Sequence, residues 1–185
     1  YYEATVGILC DYDNLWDANL DVWHSSVEKV SKSALFQAMQ HNHTPFDYVY
    51  LTEAKRAEDL QKYKVLFYPH ATIMSEERAR LLEEYVAEGG ILVVGCRSGY
   101  KDMHGKCVTA HLPGLLADVT GTDIPEYSFI APDAGDVTID WAGTQMRAQV
   151  FADLLEPLSQ DACVEAVYTS DYYAGSGALI SHPYK

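Results

Sequence analysis

The stretch Gly89-Gly90-Ile91-Leu92-Val93-Val94-Gly95-Cys96-Arg97-Ser98-Gly99-Tyr100-Lys101-Asp102 decides the fold of this chain. A glycine pair ends a helix readily, because glycine has no Cβ to clash in the left-handed conformation. The apolar run from Ile91 to Val94 lacks polar alternation, which marks a strand of a covered parallel sheet. The strand runs into a Gly-x-x-x-Gly turn. In α/β hydrolytic enzymes such a turn holds the nucleophile midway between the glycines. Here the midpoint is Arg97. A guanidinium stays protonated and cannot attack a carbonyl carbon. Cys96 stands one residue early, and successive strand residues face opposite sides. The segment reads as an active-site turn without its reactive group.

Working outward, Val65 to Tyr68 is a third strand, stopped by Pro69. Ser75 caps the helix that ends at Gly89, with Glu76 and Glu77 near its positive end. Thr5 to Cys10 and Phe46 to Leu51 are strands one and two. Asp11-Tyr12-Asp13-Asn14 reads as a polar loop. Between those strands, Ser25 with Glu28 makes a capping-box pattern, and the apolar spacing from Val27 predicts a helix to about His41. Strands joined by helices predict a doubly wound, mostly parallel sheet covered on both faces, flavodoxin-like in outline. The second half is richer in Gly, Pro and Asp. Its candidate strands are Val137–Ile139, Gln149–Phe151, Val164–Tyr168 and Ala178–Ile180, which add to the same sheet or extend from it. The expectation is one α/β domain over 1–185, with a βα core over about 1–102 and a β-rich extension over about 103–185, excised from a longer multidomain enzyme.

The chain has 185 residues and 48% hydrophobic side chains, enough for a real core. Its 27 acidic and 13 basic residues leave a formal charge of -14. That surface repels phosphate, so nucleic acid and anionic membranes are excluded as partners. Cys10, Cys96, Cys107 and Cys163 form no C-x-x-C pair and no zinc spacing. The start of the chain shows no leader pattern, and no run reaches membrane length. A cytoplasmic, reducing setting follows as an expectation.

Other chemistries lack their residues. The turn after strand one offers carboxylates where a nucleotide needs glycines, so no cofactor is expected. Asp11, Asp13, Asp17 and Asp21 resemble a calcium loop, but lack its central glycine and closing glutamate. His41, His43, His104 and His111 have no matching acids, and no metal is expected. A cysteine hydrolase would need Cys96 beside a histidine, for which His182 is the candidate. His182-Pro183 is similar to the His-Pro-Glu of class I glutamine amidotransferases, yet Tyr184 replaces the acid. Fourteen tyrosines and three tryptophans are many for this length. Tyr12, Trp16, Trp23, Tyr100, Tyr127, Tyr172 and Tyr173 lie outside the regular runs, where such rings anchor protein contacts, stack on sugars or close the sheet's ends.

Taken in order, these segments resemble the trimerization domain of family 42 glycoside hydrolases, the middle domain of certain bacterial β-galactosidases. Asp11-Tyr12-Asp13-Asn14-Leu15-Trp16 is similar to the family's Tyr-Asp-Ser-x-Trp. Tyr63-Lys64-Val65, Tyr68-Pro69, Gly89-Gly90 through Arg97-Ser98-Gly99, and Asp102 follow its pattern. So do Pro113-Gly114-Leu115, Gly121, Glu126-Tyr127 and Tyr172-Tyr173-Ala174-Gly175. Departures are Cys96, where the family has an aromatic or small residue, and Gly175-Ser176-Gly177-Ala178 in place of Gly-x-Pro-Ala. The resemblance implies a class I glutamine amidotransferase-like fold with no catalytic residue and no cofactor. It also implies a homotrimer around a threefold axis and a separate catalytic barrel acting on terminal β-D-galactosides. Structural or interface candidates are Trp16, Arg97, Ser98, Gly99, Asp102, Tyr172 and Tyr173. Arg97 is expected to pair with a carboxylate such as Asp102, or to cap carbonyls. The competing readings are a cysteine-dependent hydrolase or amidotransferase using Cys96 and His182, and a sugar-binding module.

Overall fold

The computed structural model describes residues 3–21, 25–52, 56–170 and 173–184. The chain divides into two compact units, the first to Cys107 and the second from Val108 to Tyr184. In the first unit, β1 (Val6–Cys10), β2 (Phe46–Tyr50), β3 (Val65–Tyr68) and β4 (Ile91–Val94) form a parallel sheet in the order β2-β1-β3-β4. The helices are α1 (Tyr12–Leu20), α2 (Ser25–His41), α3 (Ala57–Leu60) and α4 (Glu76–Ala87). The step from β1 to β2 runs one way along the sheet and that from β3 to β4 the other. Right-handed crossovers therefore place α2 and α4 on opposite faces.

Ser75 caps α4 by accepting the Arg78 N–H at 3.1 Å, and Gly89 follows with φ +98°. Gly90 is needed for a different reason. A Cβ there would stand 2.2 Å from the Tyr85 ring, which is fully buried under the sheet. The Tyr85 hydroxyl lies 3.1 Å from the Tyr63 carbonyl, and burial pushes its pKa up to about 12. Asp11-Tyr12-Asp13-Asn14 is not a loop. Asp11 is the N-cap of α1, its carboxylate accepting the Asn14 N–H at 2.8 Å.

The sheet is not covered on both faces throughout. Val6 pairs with Val65 and Val65 with Ile91, so Ile8, Phe67 and Val93 share the face that α2 packs on. Ile8 is fully buried there, but Ile91 is 56% and Val93 36% exposed. After β4 the chain bends into the Gly95–Gly99 turn, and no described helix returns over that edge. Apolar runs alone could not reveal this, because a bare strand and a covered one share the same composition.

The second unit has its own antiparallel sheet rather than added strands. It holds β5 (Thr122–Phe129), β6 (Val137–Trp141), β7 (Thr144–Ala148), β8 (Phe151–Pro157), β9 (Cys163–Tyr168) and β10 (Gly177–Ser181), ordered β5-β8-β10-β9-β6-β7. Its short helix α5 (Ala117–Thr120) ends at Gly121, φ +60°. The core gathers Ile130, Val137, Ala152, Leu154, Tyr168 and Tyr173. Two strands left no apolar signal. Pro125 interrupts β5 at a register shift, and β7 is an exposed edge strand in which Thr144, Gln145 and Arg147 outnumber the apolar residues.

Replacing Ser75 by alanine removes the α4 cap and should lower stability by about 1 kcal/mol. Urea unfolding followed by circular dichroism measures this, and an unchanged midpoint would show that the cap contributes nothing.

Candidate functional site

The functional question centres on the carboxyl ends of β1, β3 and β4, where open α/β sheets place their ligands. The turn after β4 shares with a nucleophile elbow a left-handed residue held between two glycines, although no helix follows it directly. Gly95 donates to the Tyr68 carbonyl at 3.0 Å, and a Cβ on it would lie 2.4 Å from the Pro69 oxygen. Gly99 donates to the Ala71 carbonyl at 2.8 Å, and the Ser98 hydroxyl donates to the Gly95 carbonyl at 2.7 Å. Between them Arg97 adopts φ +61°. A non-glycine residue in this region costs on the order of 1 kcal/mol and persists only where its surroundings hold it. The strain of an active-site turn is present, but its occupant is a cation.

Arg97 is held by charge and packing. Its side chain is 7% exposed, Nη1 lies 3.0 Å from Asp21 Oδ2, and its guanidinium carbon sits 5.8 Å from the centre of the Tyr100 ring. Lys101 Nζ reaches both Asp17 oxygens, at 2.7 and 2.9 Å, and stands 3.7 Å from Asp21 Oδ2. Arg78 pairs with Asp13 and lies 3.6 Å from Asp11 Oδ1. Asp13, Asp17 and Asp21 recur every four residues, so they form one stripe along α1. The four aspartates that resemble a calcium loop therefore face two arginines and a lysine. Those three cations pair with the carboxylates, and Asn14 and Tyr68 also hydrogen-bond to Asp11.

The remaining space is filled by a buried polar cluster, hydrogen-bonded around Asn14 and Asp11, with His70 Nδ1 left without a hydrogen-bond partner among the described residues. Asn14 Nδ2 donates to Asp11 Oδ2 at 2.8 Å and to the Ile73 carbonyl at 3.0 Å, while Oδ1 accepts the Ile73 N–H at 2.7 Å. The Tyr68 hydroxyl donates to Asp11. Burial, then the Asp11 charge, hold the Tyr68 pKa well above its usual value. His70 is 4% exposed, with Nε2 3.4 Å from the Thr72 hydroxyl. Burial and the nearby Arg97 charge lower its pKa to about 4. This crevice is shut by its own side chains.

The sequence candidates are distributed unevenly. Arg97, Ser98 and Gly99 belong to the turn, but Arg97 pairs with Asp21 rather than Asp102. Asp102 lies on an exposed loop and accepts the N–H groups of His104 and Lys106 at 2.8 and 3.0 Å. Those two backbone donors hold its pKa below the usual carboxylate range, the Lys106 N–H most strongly. Trp16 is exposed on α1, whereas Tyr173 is buried in the second unit's core, 5.6 Å from Tyr168. As a contact surface Tyr173 is closed. Tyr172 and Trp23 lie outside the described residues. His182 belongs to the second unit, where Nδ1 sits 3.2 Å from the Val119 carbonyl and its ring packs on Gly121. Sequence reasoning missed Asp21, Lys101 and Arg78 as partners. The four-residue spacing of Asp13, Asp17 and Asp21 was the available signal.

Two outcomes are expected. Arg97→Ala should cost about 3 kcal/mol, since it removes the 3.0 Å ion-pair partner of a carboxylate that is largely shielded from water. Equilibrium unfolding measures it, and a neutral result would remove the pair from the stabilising contacts. His70 has a folded pKa below its usual 6.5, so its contribution is fully present above pH 6.5. As pH falls toward 4 the unfolded chain takes up the proton first. Stability should then drop by about 3 kcal/mol across that window. In His70→Gln that loss should disappear from the pH profile.

Comparison with known proteins bears on this geometry. The family model described as the β-galactosidase trimerisation domain matches residues 4–185. β-Galactosidase BgaA of Clostridium cellulovorans is 30% identical over 129 residues, covering 70% of this chain and 19% of that protein. β-Galactosidase Pbg of Clostridium perfringens is 28% identical, covering 96% of this chain and 26% of its own length. The solved structure of Gan42B, a GH42 β-galactosidase of G. stearothermophilus, superposes with a TM-score of 0.85 at 26% identity, over 99% of this chain and 26% of that one. The chain thus spans about a quarter or less of these relatives. An emptied elbow closed by ion pairs agrees with the match, and the chain belongs to the β-galactosidase trimerisation domain family.

Proposed function

We propose that this chain is the subunit-joining domain of a family 42 β-galactosidase and performs no chemistry itself. The polypeptide that carries it assembles as three copies around a threefold axis. Arg97 carries the reading: the strained position that presents a nucleophile in a catalytic relative holds a buried guanidinium paired with Asp21. The hydrolysis of terminal β-D-galactosides belongs to a (β/α)₈ barrel elsewhere in the parent polypeptide, a fold that takes about 250 residues. That is more than this chain of 185 residues holds. The same proposal places the enzyme in the cytoplasm, as suits thiols without a disulfide-rich framework.

The alternative, a thiol hydrolase, loses support from His182, whose ring is engaged with Val119 and Gly121. In the polypeptide carrying this chain, Cys96→Ser should leave cleavage of 4-nitrophenyl β-D-galactoside within about twofold, and sedimentation equilibrium should give the mass of three copies. Loss of turnover in that variant, or a mass of one or two copies, would refute the reading.

A further inference from the structure

One segment fastens the turn from Gly95 to Lys101. After β3 the chain runs on through Pro69 and His70 to Met74, and the turn bonds to it along its length. Gly95 donates to the Tyr68 carbonyl at 3.0 Å, Gly99 to Ala71 at 2.8 Å and Lys101 to Thr72 at 2.9 Å. Met74 donates back to the Lys101 carbonyl at 3.1 Å. His70 lies in the middle of this seam. It is 4% exposed, and its Nδ1 has no hydrogen-bond partner among the described residues. A buried polar atom left in this way raises the free energy of the closed form.

Among the described residues, the charged groups that face this imidazole are already engaged. From the turn comes Arg97, a like charge to a protonated histidine. Carboxylates face it from three places: Glu28 on α2, Asp17 on α1 and Asp11 at the cap of α1. Glu28 pairs with Lys32 at 2.7 Å, Asp17 with Lys101 at 2.7 Å, and Asp11 Oδ1 lies 3.6 Å from Arg78 Nη1. A proton on His70 therefore meets no acid without a cation of its own. Burial, then the Arg97 charge, keep its pKa at about 4, below the usual 6.5. Opening the turn removes both obstacles, since water reaches the ring and Arg97 moves off. Lys101 leaves with the turn, and Asp17 is then free to face the imidazolium. The parallel sheet keeps its own ladder from Val65 to Tyr68.

We propose that the turn from Gly95 to Lys101 is an acid-released strap: a proton taken up by His70 frees it from the Pro69-to-Met74 segment while the parallel sheet stays folded. Arg97, held at φ +61°, gives up backbone strain when the strap opens. Glycines at positions 95 and 99 let the backbone swing at either side of it. This is a local opening below the free energy of global unfolding, and so distinct from the acid loss of stability expected of the whole fold.

Hydrogen exchange in the polypeptide that carries this chain, read by mass spectrometry and corrected for the intrinsic rate at each pH, tests the strap. The amides of Gly99 and Lys101 should exchange through an opening that leaves those of β1 and β3 protected. Its equilibrium constant should rise about 30-fold from pH 8 to pH 5, as a group whose pKa moves from about 4 to 6.5 on opening requires. In His70→Gln the constant should stay level over that range. Turn amides that exchange only together with β1 and β3 would show that no separate opening exists, and overturn the proposal. So would a local opening that is flat with pH in the wild type, or one that still rises in His70→Gln. If His70→Gln and His70→Asn both fail to fold, the wild-type profile decides. A rise that begins near pH 6.5 belongs to the imidazole, whereas one that begins only below about pH 5 belongs to carboxylates and refutes the strap.

Discussion

The ion pairs between α1 and the cations of the elbow region govern the rest of the first unit. Asp13, Asp17 and Asp21 meet Arg78, Lys101 and Arg97. The lysine and Arg97 pairs are well shielded from water. There their attraction is stronger than at the surface, while the desolvation of each charge largely offsets the gain. Their value is directional more than energetic. They fix the rotation of a nine-residue helix that could not hold its place by propensity alone. Once that rotation is fixed, Asn14 and Ala18 face the core and Tyr12, Trp16 and Leu20 face outward.

The same pairs explain how a catalytic-type turn can persist without catalysis. The backbone around Arg97 is set by Gly95 against Pro69 and Gly99 against Ala71, neither of which depends on the side chain at the bend. A nucleophile at such a bend would need open space and a base. An arginine there needs an acid, and Asp21 supplies it. Paired charges fill the end of the sheet where a ligand would otherwise sit, with His70 buried behind them.

Much of the first unit was legible along the chain. Continuous apolar runs marked β3 and β4, serine and glycine marked the ends of α4, and the emptied elbow could be located to one residue. What escaped had identifiable causes. Helix α1 leaves Tyr12, Trp16 and Leu20 exposed and turns Asn14 and Ala18 to the core, with its acids paired beside them, so no ordinary amphipathic pattern marks it and Asp11 to Asn14 looked like a loop. Strands β5 and β7 were hidden by Pro125 and by a polar edge. Asp21 and Asp102 are equally plausible partners for Arg97 on composition, and only the path of α1 separates them.

By itself the sequence determined that Arg97 could not be a nucleophile, because the chemistry of a guanidinium does not depend on its surroundings. It likewise determined the parallel βα core, because strand length, apolar runs and caps are local properties. The tertiary structure alone decided which acid pairs with Arg97, which side of α1 meets water, and that β4 is an edge strand among the described residues. Each of these depends on contacts between segments distant along the chain, and their geometry exists only once the sheet has formed.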